Sequence, residues 1–235
     1  MHRVKVRVVE DALDANNTIA RANRADFDRA GVTVVNLMSA PGSGKTTLLE
    51  RVLGPGVPGL RVGVLEGDVQ GSLDADRLAD LHVHVTQLNT DNGFGGECHL
   101  DANMVRSALD AVGLDALDLL IVENVGNLVC PAEFAVGEDA RIMVASVAEG
   151  DDKPLKYPLM FRTCELVVLN KIDLLPHTDF DVDRFLYHLD AVHPGVAHLT
   201  TSARTGEGVD ALRDWLAALP GERGPTARGR AQAPA

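Results

Sequence analysis

The sequence predicts an α/β fold, a mostly parallel sheet flanked by helices on both faces, and three observations carry that expectation. First, apolar runs of strand length recur along the chain: VTVVNLM, RVGVLEGD, HVHVTQL, LDLLIVEN, RIMVASV, ELVVLN and VAHLT. Strands buried on both faces read as near-continuous apolar runs. Second, helical stretches alternate with them: TTLLERVL, a segment near SLDADRLADL, CHLDANMVRSALDAV, DVDRFLYHLDAV and VDALRDWLAAL. That rhythm is the signature of helices packed on a parallel sheet. Third, the first core strand runs straight into SAPGSGKTT, a glycine-bearing loop that opens a helix. This is the strand, loop and helix order of a P-loop NTPase.

Composition narrows the possibilities. The chain has 235 residues, enough for one large α/β domain or two small ones. Hydrophobic residues make up 46% and aromatics only 4%, so core volume must come from Val, Leu, Ile and Ala. A net charge of -12 argues against a nucleic-acid partner, which calls for basic stripes. Three cysteines cannot build a disulfide framework, and the N-terminal segment has no apolar run of signal-peptide or membrane-span length. A cytoplasmic protein with reduced thiols, no membrane and no nucleic acid is the expectation.

Residues 1–9 alternate like a strand and are expected to be an extended arm or disordered. Residues 11–30 read as a helix, with Leu13, Ala20 and Phe27 spaced by seven and Gly31 to end it. The expected organisation is therefore an N-terminal arm and helix over 1–31, a nucleotide domain over 32–219 and a tail over 220–235. That tail, PGERGPTARGRAQAPA, has the composition of a disordered segment.

Within the loop, Gly42, Ser43, Gly44, Lys45, Thr46 and Thr47 form the phosphate cradle. Lys45 is placed to meet the β- and γ-phosphates and Thr46 to hold Mg²⁺. Ser39 stands where the general GxxxxGK[ST] pattern has glycine. Asp68 and Glu123 end apolar strands, where α/β sheets bind ligands, and are the candidate acidic partners of Mg²⁺. Either binds the ion directly or through a water. Asp74 is a candidate for orienting the attacking water.

NKID, residues 170–173, follows a strand. Asp173 is suited to accept from guanine N1–H and N2–H, a donor pair that adenine lacks, while Asn170 and the Lys171 stem line the base pocket. SARTGEG begins with Ser202 and Ala203, whose backbone N–H groups are candidates to meet guanine O6. A P-loop, acidic strand ends, NKID and SAR in that order form a GTPase signal: GTP bound, GDP and phosphate released.

Several blocks, in order, resemble one family: NNTIARANRADF, NLMSAPGSGKTTLL, EGDVQGSLDADR, GECHLDANM, VENVGNLVCPAEFAVGE, EGDDKPLKYPLMF and LNKIDLL. They are similar to the HypB proteins, nickel-incorporation GTPases of the SIMIBI class, and the resemblance runs from about residue 10 to about residue 219. Ser39 agrees with that family. The resemblance implies GTP hydrolysis coupled to nickel delivery into [NiFe]-hydrogenase, and a homodimer that forms with GTP. Its implied partners are a maturation protein and the hydrogenase large subunit. The family's G-domain metal site maps onto Cys98, His99 and Cys130. Some members also carry an N-terminal CxxCGC motif or a His-rich tract. Here the N-terminal region has no cysteine and only His2, so an N-terminal high-affinity site and nickel storage are not expected.

The residues themselves support the metal site. Gly93, Gly95 and Gly96 make the approach to Cys98 a loop, and Cys98 falls at or near a helix N-terminus, where the dipole favours thiolate. Cys130 follows Glu123 in the segment expected to sense the γ-phosphate. Two thiolates and an imidazole suit Ni²⁺, Zn²⁺ or copper, and leave a fourth position for water or a second subunit. Cys164 reads as core, His82 and His84 as an exposed strand face, and Lys153 and Lys156 as solvated loop lysines. Two related functions compete. A urease nickel GTPase carries Cys-Pro-His, whereas Cys130-Pro131 is followed by Ala132. A GTPase chaperone of cobalamin-dependent mutases does not need Cys98 and His99. A passive metal-binding module with a vestigial P-loop is opposed by the intact Lys45, Thr46 and Asp173.

Overall fold

The computed structural model describes residues 2–68, 77–78, 81, 83–90 and 98–222, with side chains from residue 12 onward except those of Asp68 and residues 221–222. Among these residues seven strands form one sheet: β1 (Thr33–Ser39), β2 (Val62–Asp68), β3 (His84–Asn89), β4 (Leu119–Glu123), β5 (Ala140–Ser146), β6 (Leu166–Asn170) and β7 (Ala197–Thr200). Their order is β3-β2-β4-β1-β5-β6-β7 and every pairing is parallel. The helices are α1 (His2–Ala30), α2 (Lys45–Leu53), α3 (Ala102–Val112), α4 (Cys130–Glu133), α5 (Lys153–Lys156), α6 (Pro158–Arg162), α7 (Val182–Val192) and α8 (Val209–Glu222).

Residues alternate between the sheet's two faces, as strand geometry requires. Val35 and Leu37 of β1 join Val64, Ile121, Val144 and Val168 beneath α2 and α8, which contribute Leu48, Val52, Leu212 and Leu216. On the other face Val34, Leu65, Leu120 and Val122 pack with Phe27 of α1 and Val105 and Val112 of α3. Beside them Met38, Met143, Val167 and Leu169 pack with Met160 and Phe161 of α6 and Phe185 and Leu189 of α7. The central strands β1, β4 and β6 are buried throughout, whereas the edge strands β3 and β7 are partly exposed. His84 accordingly sits exposed on β3, and His82 lies outside the described residues.

The connectivity places the site. From β1 the chain moves to β2 and β3 on one side, and after β4 it crosses to β5, β6 and β7 on the other. The carboxyl ends of β1, β4, β5 and β6 therefore surround the point where strand order reverses, the place where such sheets bind ligands.

Three local expectations are corrected. Residues 2–9 continue α1 and are not an extended arm. Lengthening a formed helix adds one hydrogen bond for each residue fixed, so the helix propagates back towards the N-terminus. α3 begins at Ala102 and not at Cys98, because Asp101 is its cap and accepts from Met104 N at 2.7 Å. α8 runs through Pro220 to Glu222, three residues into the expected tail, whose remainder lies outside the described residues. Of SLDADRLADL, only Arg77, Leu78 and Leu81 are described, the first two helical. Among the described residues no helix is long and apolar enough to cross a membrane.

Buried asparagines fasten α1 to the sheet's flank. Asn16 Nδ2 donates to Ala135 O (2.9 Å), and its Oδ1 accepts from Ala102 N (2.9 Å). Asn23, fully buried, donates to Ala102 O (2.8 Å) and Val136 O (3.1 Å), and accepts from Arg106 Nη1 (3.1 Å). A buried group left unsatisfied costs about 1–3 kcal/mol. Asn23→Ala is therefore expected to lower unfolding stability by about that amount, read as a lower urea midpoint at unchanged slope. A midpoint equal to the parent's would mean that the clamp contributes nothing.

Candidate nucleotide and metal sites

The cleft over the P-loop has a volume of about 800 Å³, within the usual small-molecule range of roughly 300–1,000 Å³. Its lining includes Gly42, Gly44, Lys45, Thr46, Thr47, Glu66, Glu123, Asn170, Lys171, Asp173 and Ala203. The Ser39 hydroxyl has a use at its unusual position. It is buried, and its Oγ accepts from Lys45 Nζ at 2.8 Å while donating to Ala40 O at 2.7 Å. Gly44 immediately precedes α2 with φ of 95°, a region that favours glycine, and a Cβ there would sit 2.8 Å from Asn170 Nδ2. α2 therefore points its N-terminal N–H groups at the cleft, where an anion is favoured.

Acidic groups meet the loop at the sheet's end. Thr46 Oγ1 donates to Glu123 Oε1 at 2.7 Å, and both residues are buried. Glu66 stands opposite Glu123 in the β2–β4 register and is also buried. A threonine hydroxyl and two neighbouring carboxylates are hard oxygen donors, a set that fits Mg²⁺. Asp68 ends β2 opposite Asn89, with its side chain outside the described residues, and Asp74 lies wholly outside them. Sequence reasoning overlooks Glu66, although LEGD in an apolar strand contained the signal: a charge within a run that burial should have kept apolar.

Asn170, Lys171 and Asp173 are brought to one wall. Asn170 Nδ2 donates to Ser43 O (3.0 Å), and its Oδ1 accepts from Thr201 Oγ1 and Ala203 N, both at 3.2 Å. It thereby ties the P-loop, β6 and the SAR turn together. The Ala203 N–H, a candidate for guanine O6, is engaged by Asn170 in this structure. The Ser202 N–H likewise donates to Glu207 O at 2.9 Å. Lys171 has a φ of 64°, and its Nζ reaches Gly42 O at 2.5 Å. Asp173 Oδ1 accepts from Ser202 Oγ at 2.6 Å. Arg51 of α2 holds the turn by donating to Ala203 O (2.9 Å) and Arg204 O (3.1 Å).

Cys98, His99 and Cys130 come together, each offering a ligand atom within 4.8 Å of the others. Cys98 Sγ lies 3.1 Å from Cys130 Sγ and 3.7 Å from His99 Nδ1. Cys98 sits in the loop before α3, while Cys130 opens the short α4. The His99 ring packs on Phe134, with centroids 4.4 Å apart. Burial and the neighbouring Cys98 push the Cys130 thiol above the usual thiol range. Cys164 is separate: buried in the core, it donates to Met160 O at 2.9 Å, and burial pushes its thiol up strongly.

The two sites share a segment. Glu123 meets Thr46, and Asn124 directly follows it. Asn124 Oδ1 accepts from Leu100 N at 2.8 Å, and Asn127 Nδ2 donates to Cys98 O at 3.2 Å. Gly126 lies against the P-loop, where a Cβ would be 2.9 Å from Pro41 Cα. Four residues further on is Cys130. Asn124 is a second residue that sequence reasoning overlooks, because a lone asparagine after a strand carries no distinctive pattern. Lys153 lies with its ammonium 5.3 Å from the Tyr157 ring centroid, and Lys156 pairs with Asp152 at 2.6 Å.

Comparison with known proteins places this geometry. The CobW/HypB/UreG nucleotide-binding domain matches residues 33–199. The hydrogenase maturation factor HypB of Rhizobium leguminosarum bv. viciae is 46% identical over 211 residues, covering 90% of this chain and 69% of that protein. The crystal structure of HypB from Helicobacter pylori in complex with nickel is 34% identical, with a TM-score of 0.82 over 88% of this chain and 96% of that one. HypB from Archaeoglobus fulgidus is also 34% identical, with a TM-score of 0.80 over 88% of this chain and 99% of that one.

Proposed function

Because the chain belongs to the HypB family of hydrogenase maturation factors, within the CobW/HypB/UreG nucleotide-binding domains, we propose that it is a GTP-hydrolysing metallochaperone that couples nucleotide state to nickel delivery during [NiFe]-hydrogenase maturation. The observation that carries this reading is the single segment 123–130, which begins at Glu123, the acceptor of the P-loop threonine's hydroxyl, and ends at a thiol of the Cys98–His99–Cys130 cluster. The likeness to hydrogenase maturation factors favours it over urease or mutase service.

In this reading GTP is cleaved to GDP and phosphate. Lys45 and the N–H groups of Gly42 to Thr47 bind the phosphates, and Asp173 selects guanine. Thr46, Glu123 and Asp68 hold Mg²⁺, and Glu66 adds charge beside them. Bound there, Mg²⁺ neutralises charge on the β- and γ-phosphates. Asp74 is assigned to orient the attacking water. Nickel is the cargo, held by Cys98, His99 and Cys130, and the same donors accept Zn²⁺. The partners are a second copy of the chain when GTP is bound, a maturation protein and the hydrogenase large subunit. Val129, 55% exposed directly before Cys130, leaves an apolar side chain at the surface next to the metal cluster, which supports self-association there. A two-fold interface there lets a second set of the three ligands complete the coordination.

Base selection is tested by Asp173→Asn. Losing a charged hydrogen-bond partner costs ~1.5–3 kcal/mol, roughly 10- to 150-fold. Titration should show GTP weakened by that range and xanthosine triphosphate improved. ATP binding as tightly as GTP in the parent would remove the base-pocket assignment.

Cargo binding is tested by single replacements. Cys98→Ala, His99→Ala and Cys130→Ala should each weaken nickel by at least the roughly 10- to 100-fold that loss of an outer-shell partner costs metal sites. Cys164→Ala should not. The raised Cys130 thiol must lose its proton to bind metal, so affinity should climb as pH rises. Equal loss of affinity from Cys164→Ala would sink the three-ligand assignment.

A further inference from the structure

One buried acid beside the cleft is unused by the chemistry above. Glu149 follows β5, and both its carboxylate oxygens are shielded from solvent with no hydrogen-bond partner among the described residues. Its backbone is fixed: Glu149 N donates to Ser146 O at 3.0 Å, and Val147 N donates to Asn170 O at 3.2 Å. Ser146 is also the register partner of Asn170. The turn carrying Glu149 is thus fastened to the end of β6, from which Asn170 and Lys171 enter the nucleotide cleft.

Three lysines act on this carboxyl, in decreasing order Lys153 of α5, Lys171 after β6 and Lys45 at the start of α2. Each is seated elsewhere. Lys153 lies over the Tyr157 ring, Lys171 reaches Gly42 O and Lys45 reaches Ser39 Oγ. The other acids of the loop are differently placed. Asp151 pairs with Arg184 at 2.5 Å, Asp152 pairs with Lys156 at 2.6 Å, and His188 of α7 contacts Asp151 O at 3.0 Å. Glu149 alone among these acids is shielded and held only by charges at a distance. Burial outweighs the three lysines and pushes its carboxyl up to about 7.

Two of those three lysines line the nucleotide cleft. Phosphates bound there turn the positive field of Lys45 and Lys171 on themselves and add negative charge of their own. A carboxylate buried nearby then loses its compensation. We propose that Glu149 is a proton-linked counter-charge of the nucleotide site: it takes up a proton from solvent when phosphates engage Lys45 and Lys171, and returns it when they leave. This rests on the nucleotide reading above. The sign follows from linkage. Binding with proton uptake weakens as pH rises through the carboxyl's range, and GTP, with its extra phosphate, draws more proton than GDP. Hydrolysis therefore favours release of the proton along with the phosphate.

The test is calorimetric titration of the full chain with a non-hydrolysable GTP analogue and Mg²⁺, in buffers of different ionisation enthalpy. Parent and Glu149→Gln are compared from pH 6 to pH 9, with Glu149→Ala as a second uncharged variant. At pH 7 the parent should take up on the order of 0.3–0.4 more proton per site than either variant, the amount expected if its carboxyl rises by roughly half to one unit. Parent affinity should fall about three- to tenfold more than theirs between pH 6 and pH 9, the same rise expressed as a binding ratio. Equal proton uptake and parallel pH profiles, with nucleotide bound normally, would overturn the role of Glu149 and leave the nucleotide reading intact. Absence of nucleotide binding in the parent would overturn both.

Discussion

Asn124 is the residue on which the arrangement of both sites depends. It is buried, and its three hydrogen bonds reach two other parts of the chain. Its backbone N–H donates to Leu37 O (3.0 Å), its Nδ2 to Asn36 Oδ1 (3.2 Å), and its Oδ1 accepts from Leu100 N (2.8 Å). The first two fix the segment after β4 to the strand that feeds the P-loop. The third fixes it to the loop that carries Cys98 and His99. Leu100 is itself fully buried against β2, where a Cβ on Gly67 would lie 2.6 Å from its side chain. In such a packed, low-dielectric setting a bond lost is not replaced by water. A displacement of Glu123 would therefore be carried to the thiols through hydrogen-bonded backbone, which is the physical basis of the proposed coupling.

Charge is distributed to match. The chain is acidic overall, with a net charge of -12. Yet Lys45 and Lys171 line the cleft and Lys153 lies within electrostatic reach of the same turn. Glu66, Glu123 and Glu149 are buried or shielded close by. Cations that face phosphate and acids that face a divalent ion are both unfavourable without their ligands. Seating Lys45 on Ser39 and Lys171 on Gly42 limits that cost in the free protein and leaves the groups where phosphate charge is expected.

Much of this was legible in the sequence. The β1, β4 and β6 runs are apolar because both their faces are covered, so their type and parallel pairing could be read directly. The P-loop, NKID and SAR are local patterns whose spacing reflects backbone geometry. Cys98, His99 and Cys130 were legible as a set through the family resemblance, supported by two short segments that each carried a distinctive residue. What escaped is tertiary in origin. Asn124 matters through partners on other strands and nothing in its own neighbourhood marks it, whereas Glu66 was marked only by being a charge inside an apolar run. Glu149 reads as one more loop acid, since its burial is set by the turn between β5 and α5. The first nine residues misled because alternation of Val with charged residues suits a strand as well as a helix extension. The α3 boundary shifted because Asp101, a better cap than Cys98, lies three residues later.

The most direct measurement is nickel affinity taken twice on the same protein, once with GDP and once with a non-hydrolysable GTP analogue, each with Mg²⁺. Because the segment 123–130 joins the carboxylate that meets the P-loop threonine to a thiol of the proposed metal cluster, the two affinities should differ by roughly 5- to 150-fold, the range of typical coupling free energies. By reciprocity, nickel should change the affinity for the analogue relative to GDP by the same factor. Indistinguishable nickel affinities in the two nucleotide states would contradict the coupling and reduce the protein to a GTPase and a metal binder that share one chain.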